Sequence, residues 1–244
     1  MSHNIPAMVR RILTRHDAAT PEQVAEGTVW YEQARVFSAE LAERYPFTFE
    51  QVAHVIAALS PQVPWGKNAA STVDALEAYV NGWDGESKLP DYPGYSANGK
   101  KAHAILSGDL SVLRGPKVTA FAAAIMGDLS HVVTDVWAVR AARSRAGNLL
   151  VAYTDGELPG APEQRAIAEA YRRAAGRRGI EPAVMQARVW VQVRECPDWT
   201  RPQHMDEQAR RRFWKRQATA RLKAGLSVPY DWNAAAPIKA AQYG

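Results

Sequence analysis

A glycine-proline turn between apolar segments, Leu113-Arg114-Gly115-Pro116-Lys117, most constrains how this chain can fold. Proline has a fixed φ and no N–H, so it suits the first turn of a helix and not its interior, while the preceding glycine allows a tight change of direction. Leu110 to Leu113 reads as a short helical turn leading into this hairpin. The alanine-rich run Val118 to Met126 beyond it is apolar enough to form a fully buried helix. The expected unit is helix, hairpin, helix. Lys117 falls in the first turn of the new helix, where the macrodipole disfavours a cation, lowers the amine's pKa and frees it as a nucleophile. Backbone N–H groups at such a helix start suit a phosphate, which makes Arg114, Gly115 and Lys117 candidate phosphate ligands. A further helix begins near Val133-Thr134-Asp135-Val136-Trp137, with Asp135 or Thr134 as its cap, and carries Trp137, Arg140 and Arg143. Asp135 is the carboxylate partner expected for Lys117.

The rest of the chain is punctuated as helices. Thr20-Pro21-Glu22-Gln23 is a capping box that starts a long amphipathic helix reaching about Arg44, read as the first of the domain. Thr48-Phe49-Glu50-Gln51 repeats the signal for a second helix with Val52, Val55, Ile56 and Leu59 as its buried stripe. A loop with Gln62 and Trp65 follows. Helices are then expected from Lys67 to Tyr79, Asn98 to Leu106, Glu163 to Arg177 and Ala183 to Arg194. A Gly-, Pro-, Asp- and Tyr-rich connection lies between Asn81 and Ala97. There is almost no strand pattern and no internal repeat, so the fold class is all-α. The organisation expected is a catalytic domain over residues 1–200, built of two intimate helical lobes with a cleft between them, and a basic C-terminal helix and tail over 201–244. That last helix carries Arg210, Arg211, Arg212, Lys215, Arg216, Arg221 and Lys223.

Composition removes several classes of chemistry. The single cysteine, Cys196, rules out an internal disulfide, a four-cysteine zinc site and a cysteine-ligated iron-sulfur cluster within one chain. His16, His54, His103, His131 and His204 make no metal-ligand spacing with each other or with carboxylates, so no catalytic metal is expected. Neither a phosphate-binding glycine loop for ATP nor a dinucleotide fingerprint is present. No apolar run reaches the roughly 20 residues a membrane span needs, and the start lacks a signal-peptide core, which points to the cytoplasm. A formal charge of +5 suits a polyanionic partner such as DNA.

The hairpin, Lys117, and Asp135 eighteen positions later, in an all-helical chain, resemble the helix-hairpin-helix DNA glycosylase superfamily. The likeness extends upstream. That superfamily has a buried helix ending in a Leu-Ser-x-Gln loop, here Leu59-Ser60-Pro61-Gln62, followed by a helix start, here Lys67-Asn68, and the resemblance covers roughly Phe49 to Ala142. It implies a two-lobed helical fold with Lys117 at the Schiff-base lysine of the bifunctional enzymes, Asp135 at their catalytic aspartate, and Gln62 at the loop residue filling space near the extruded nucleotide. Gln62, Trp65, Asn68, Trp137 and Arg140 then form the candidate base pocket. Three features depart from the pattern. The hairpin has one glycine where the superfamily has two, which leaves its monovalent-cation site incomplete; Trp137 replaces a usual histidine; the cluster cysteines are absent. These departures bring the chain closer to the phage-type branch, the glutamyl/putrescinyl-thymine pyrophosphorylases or amino acid:DNA transferases, and so to the host cytoplasm for a phage-encoded protein.

Taking a base from the stack costs a few kcal/mol, which a stacking pocket and a residue plugging the gap must offset. The resemblance implies such flipping, followed by one of two reactions. In thymine hypermodification, an activated 5-hydroxymethyluracil loses pyrophosphate and a small amine or amino acid takes its place, with Asp135 as general base and Lys117 or Arg140 neutralising the leaving phosphate. In base excision, Asp135 stabilises an oxocarbenium-like transition state and Lys117 attacks the sugar. A non-catalytic DNA-binding module is the third reading. Each residue also has a plainer task open to it: Asp135 as a simple cap, Lys117 as a phosphate contact, Trp65 as a core aromatic, Gln62 as an exposed turn residue.

Overall fold

The computed structural model describes residues 4–89, 92–143 and 158–195. Among these the chain is all-helical, with nine α-helices, one 3-10 turn and no strand. The helices are α1 (Ile5–Asp17), α2 (Pro21–Arg44), α3 (Phe49–Leu59), α4 (Trp65–Val80), α5 (Ser96–Leu106), α6 (Pro116–Ile125), α7 (Val136–Arg143), α8 (Ala161–Arg178) and α9 (Pro182–Glu195), and the 3-10 turn is Leu110–Val112. None of them is long and apolar enough to cross a membrane. The basic C-terminal helix expected over 201–244, and Cys196, lie outside the described residues.

The described residues divide into two compact units. A terminal unit combines 4–31 with 127–143 and 158–195, and a central unit comprises 32–89 and 92–126; the first division falls inside α2, between Tyr31 and Glu32.

In the terminal unit α1, α7, α8 and α9 pack on one another around Ile12, Val139, Ile167, Tyr171, Met185 and Val189. Here one expectation needs correcting, because α2 is not the first helix. Asn4 caps α1 by accepting from the Ala7 N–H at 3.0 Å, and Pro6 sits in its first turn. Ile5, Met8, Val9 and Ile12 already follow helical spacing, but Arg10, Arg11 and Arg15 break up the apolar run, so the stripe is narrow. α2 meets α9 closely. A methyl group built on Gly27 would lie 2.5 Å from Arg188 Cα and 2.7 Å from Arg188 N, so only glycine fits that crossing without movement. Trp30 continues the seam with an edge-on contact to Trp190, over which Arg194 lies at 4.4 Å while it bonds Glu26 at 2.9 Å.

In the central unit α3 is the buried axis, packed on α4, α5 and α6. Both capping boxes form as expected. Gln51 and Thr48 exchange bonds at 2.9 and 3.1 Å at the head of α3, and Thr20 and Gln23 do so at 3.0 and 3.3 Å at the head of α2. Gln51 does a second job: its Nε2 donates to the last carbonyls of α5, Ile105 and Leu106, at 3.1 Å each.

A detail that sequence reading passes over is a turn used twice. Gly108-Asp109-Leu110-Ser111 follows α5, and Gly127-Asp128-Leu129-Ser130 follows α6. In each the glycine takes a positive φ (99° and 103°), and the aspartate Oδ1 accepts from the backbone N–H and hydroxyl of the serine two residues on. The shared element is a four-residue turn and not an internal repeat.

Two tyrosines make the terminal-unit core testable by pH. Burial, and secondarily the negative charge of Asp135, push the Tyr31 and Tyr171 phenols well above the ordinary value. A folded-state pKa above the unfolded value of about 10 means that their stabilisation is complete below pH 10 and is lost as pH rises further. In a spectrophotometric alkaline titration these two phenols are expected to ionise only together with the loss of helical circular dichroism. Ionisation of all nine tyrosines before unfolding would contradict this.

Candidate functional site

The central unit holds Gln62, Trp65, Asn68, Arg114, Gly115 and Lys117, and the terminal unit holds Asp135, Trp137 and Arg140.

The Leu59-to-Trp65 loop is built from the spent end of α3. The last carbonyls of a helix have no partner within it, and here side chains supply them: Asn68 Nδ2 donates to Ile56 at 2.9 Å, the Ser60 hydroxyl to Ala57 at 2.9 Å, and Tyr92 Oη to Leu59 at 3.2 Å. Asn98 Nδ2 in turn donates to Tyr92 Oη at 3.2 Å. Asn68 is thus buried with its amide engaged by α3, which gives this candidate pocket residue a structural task. Trp65 opens α4 and packs edge-on against Phe37 with ring centroids 6.0 Å apart, so it too belongs to the packing of the unit.

From this anchored base the chain turns sharply. Val63 N–H donates back to Ser60 O at 3.2 Å, with Pro61 and Gln62 as the central residues, and Gln62 has φ 61°. Proline followed by a positive φ is the type II arrangement, whose third position prefers glycine or asparagine. Gln62 is the only described non-glycine residue with positive φ, and it is exposed. Its Oε1 accepts from Tyr95 Oη at 3.1 Å, and Tyr95, just before α5, is 58% exposed. Tyr95 was not singled out from the sequence. The fold brings it to Gln62 across 33 residues. A non-glycine residue in this region carries a cost of order 1 kcal/mol. Gln62→Gly is therefore expected to raise stability by about 0.5–1 kcal/mol in urea unfolding, and a lower midpoint would refute the strain argument.

The helix start at Gly115-Pro116 takes the expected form. Gly115, with φ 111°, precedes α6; Pro116 is the first helical residue, and Lys117 the second. Thr119 closes the first turn, its N–H and hydroxyl both donating to Gly115 O, at 3.1 and 2.9 Å. Arg114 and Gly115 are exposed and Lys117 is half-buried, while Arg114 Nε rests on Ser111 O at 3.2 Å.

In the terminal unit Asp135, not Thr134, caps α7. Its Oδ1 accepts from the Ala138 N–H at 2.8 Å. Thr134 is buried, its hydroxyl 3.4 Å from Gln164 Oε1. Tyr171 Oη reaches Ala138 O at 3.5 Å, on the same first turn of α7, and Tyr31 Oη donates to Gln186 Oε1 at 2.8 Å. The charge of Asp135 adds to the burial that raises both phenols. Trp137 packs at the margin of the core, and Arg140, 2% exposed, places its guanidinium 5.1 Å from the Trp137 ring centroid. Tyr31, Tyr171 and Gln186 were not anticipated, because 155 residues separate the Tyr31-Gln186 pair. Among the described residues no group of three or more His, Cys, Asp or Glu side chains is placed to hold a metal ion.

No curated protein and no solved structure matches this chain. A family model, described as a family of unknown function, DUF7178, matches residues 1–197, and the chain belongs to that family.

Proposed function

We propose that the chain acts on a pyrimidine flipped out of DNA, replacing an activated leaving group on its 5-substituent with an amine. The observation that carries the flipping step is the exposed pair of Gln62 and Tyr95. Gln62 is held in a left-handed turn just after the end of α3, with an exposed aromatic bonded to it. A base leaving the stack opens a gap, which a polar side chain and a flat ring exposed side by side can fill. The start of α6, with Gly115 and Lys117, offers N–H groups and a cation of the kind that hold a phosphate. The preference for transfer over excision rests on the resemblance to the phage-type branch, including the single-glycine hairpin.

In this reading the amine nitrogen attacks the methylene carbon on C5 of the ring. A C–N bond forms, the C–O bond to the leaving group breaks, and pyrophosphate departs with the electron pair. Asp135 accepts the proton that the amine gives up. Lys117 or Arg140 offsets the negative charge that develops on the leaving group. The glycosidic bond survives.

The test is mass spectrometry of free bases and digested nucleosides after the protein is incubated with DNA bearing pyrophosphorylated 5-hydroxymethyluracil and a mixture of amino acids and polyamines. A nucleoside that gains the mass of an amine, with no free base, is the expected result. A released base would instead identify excision. No change in either pool, with DNA still bound, would leave a binding module.

A further inference from the structure

The cationic side chains of the two units differ in kind. The described residues of the terminal unit contain twelve arginines and no lysine against nine carboxylates, a net charge of +3, whereas those of the central unit contain three arginines and five lysines against nine carboxylates, a net of −1. α8 is the densest part of this asymmetry, with five arginines and two carboxylates in 18 residues. Its ion pairs are arranged at the ends and in the middle. Glu163 at the start is bonded by Arg143, and Arg178 at the end grips Asp17 of α1 through two nitrogens. Glu169 is shared by Arg173, at 2.7 Å, and Arg172, at 3.9 Å. Arg165 and Arg177 have no carboxylate partner among the described residues.

At 100° per residue, Arg165, Arg172, Arg173 and Arg177 fall within an arc of about 140°. All four are exposed, while Ile167, Tyr171 and Ala174 occupy the buried side. From Arg165 to Arg177 the row is about 18 Å long, the axial rise of about five base pairs of duplex. On a solvated helix face, opposite charges at i,i+3 and i,i+4 stabilise one another and like charges repel. This one uses the guanidinium alone, whose planar fork pairs with phosphate through two N–H groups, and carries more cations than its carboxylates can satisfy.

We infer that the exposed arginine face of α8 is a docking surface for the sugar-phosphate backbone of duplex DNA, additional to the Gly115-Lys117 helix start. The inference rests on the reading of the chain as a DNA-acting protein and extends it to a surface that no motif in the sequence marks. Contacts of this kind position the duplex without reading its sequence.

The experiment compares the full chain with a variant carrying Arg165→Gln, Arg172→Gln and Arg177→Gln. A control carries Arg35→Gln, Arg44→Gln and Lys88→Gln, so that net charge falls equally in both. Binding to a fluorescent duplex oligonucleotide of random sequence is measured by anisotropy over a range of salt concentrations, with circular dichroism melting as the check that each protein is folded. The α8 variant is expected to bind at least tenfold more weakly near physiological salt, with a log-log salt slope reduced by about 2, while the control stays within about threefold of wild type. Wild type that binds with a variant that is unchanged, or a control that loses as much, overturns the α8 surface and leaves the proposed function standing. Wild type that binds no duplex even at low salt overturns both.

Discussion

Asp135→Asn is expected to lower turnover by 10²- to 10⁴-fold while leaving DNA affinity within about threefold of wild type. The choice of asparagine follows from the geometry. Asp135 accepts the Ala138 N–H at 2.8 Å as the cap of α7, and an asparagine Oδ1 accepts the same bond, so the helix start is retained. What disappears is the capacity to take a proton. Asp135→Ala removes the cap as well and adds a stability loss of about 1 kcal/mol. Comparing the two separates the capping task from the chemical one. Single-turnover rates on the modified duplex, set beside anisotropy affinities and melting curves, make the measurement. If Asp135→Asn turns over at the wild-type rate, the carboxylate is only a cap and the proposed role for it fails. If both variants lose DNA binding and turnover together, Asp135 supports the fold of its unit and not the reaction.

Gly27→Ala is expected to destabilise the protein by about 2 kcal/mol, against the usual gain from removing a glycine from a helix. Intrinsic propensity favours alanine by about 1 kcal/mol. Steric overlap outweighs it here, because the added methyl would meet the Cα and N of Arg188, at 2.5 and 2.7 Å, and backbone on a packed helix cannot swing aside as a side chain can. α2 and α9 would have to separate, loosening the contact of Trp30 with Trp190 and the bond from Tyr31 to Gln186. Gly176→Ala in α8 provides the contrast. A methyl there meets nothing within 4 Å, so the propensity term acts alone and stability should rise by up to about 1 kcal/mol. Urea unfolding of the two variants checks both signs at once. Equal shifts in the same direction would show that propensity, and not the closeness of α2 to α9, governs both positions.

The capping boxes at Thr20 and Thr48, the buried stripe of α3, the helix start at Gly115-Pro116 and the cap at Asp135 are all local. Each is a matter of a few neighbouring residues, and each formed as the sequence predicts. The helix that was missed, α1, shows the limit of apolar pattern: three arginines within 13 residues hid a stripe whose burial becomes apparent only when α8 and α9 cover it. Boundaries elsewhere moved by a turn or less, as at α4, which begins at Trp65 and not Lys67. That shift makes Trp65 a helix-start residue packed on Phe37 instead of a loop aromatic.

The residues on which the functional reading now depends divide along the same line. Gly115, Lys117 and Asp135 stood out in sequence because turns and helix starts impose local rules on residue type, which a single chain displays without reference to the rest of the molecule, and Gln62 stood out through the resemblance of its Leu-Ser-x-Gln loop. Tyr95 beside Gln62, Tyr31 bonded to Gln186 and the Gly27 crossing stood out only in the folded chain. Contacts between residues tens to more than a hundred positions apart are selected by packing in three dimensions. In a one-dimensional reading they are ordinary tyrosines, a glutamine and a glycine. The sequence alone therefore determined where helices begin and which groups stand at their starts, and the tertiary structure decided which of those groups gain neighbours able to hold them in place.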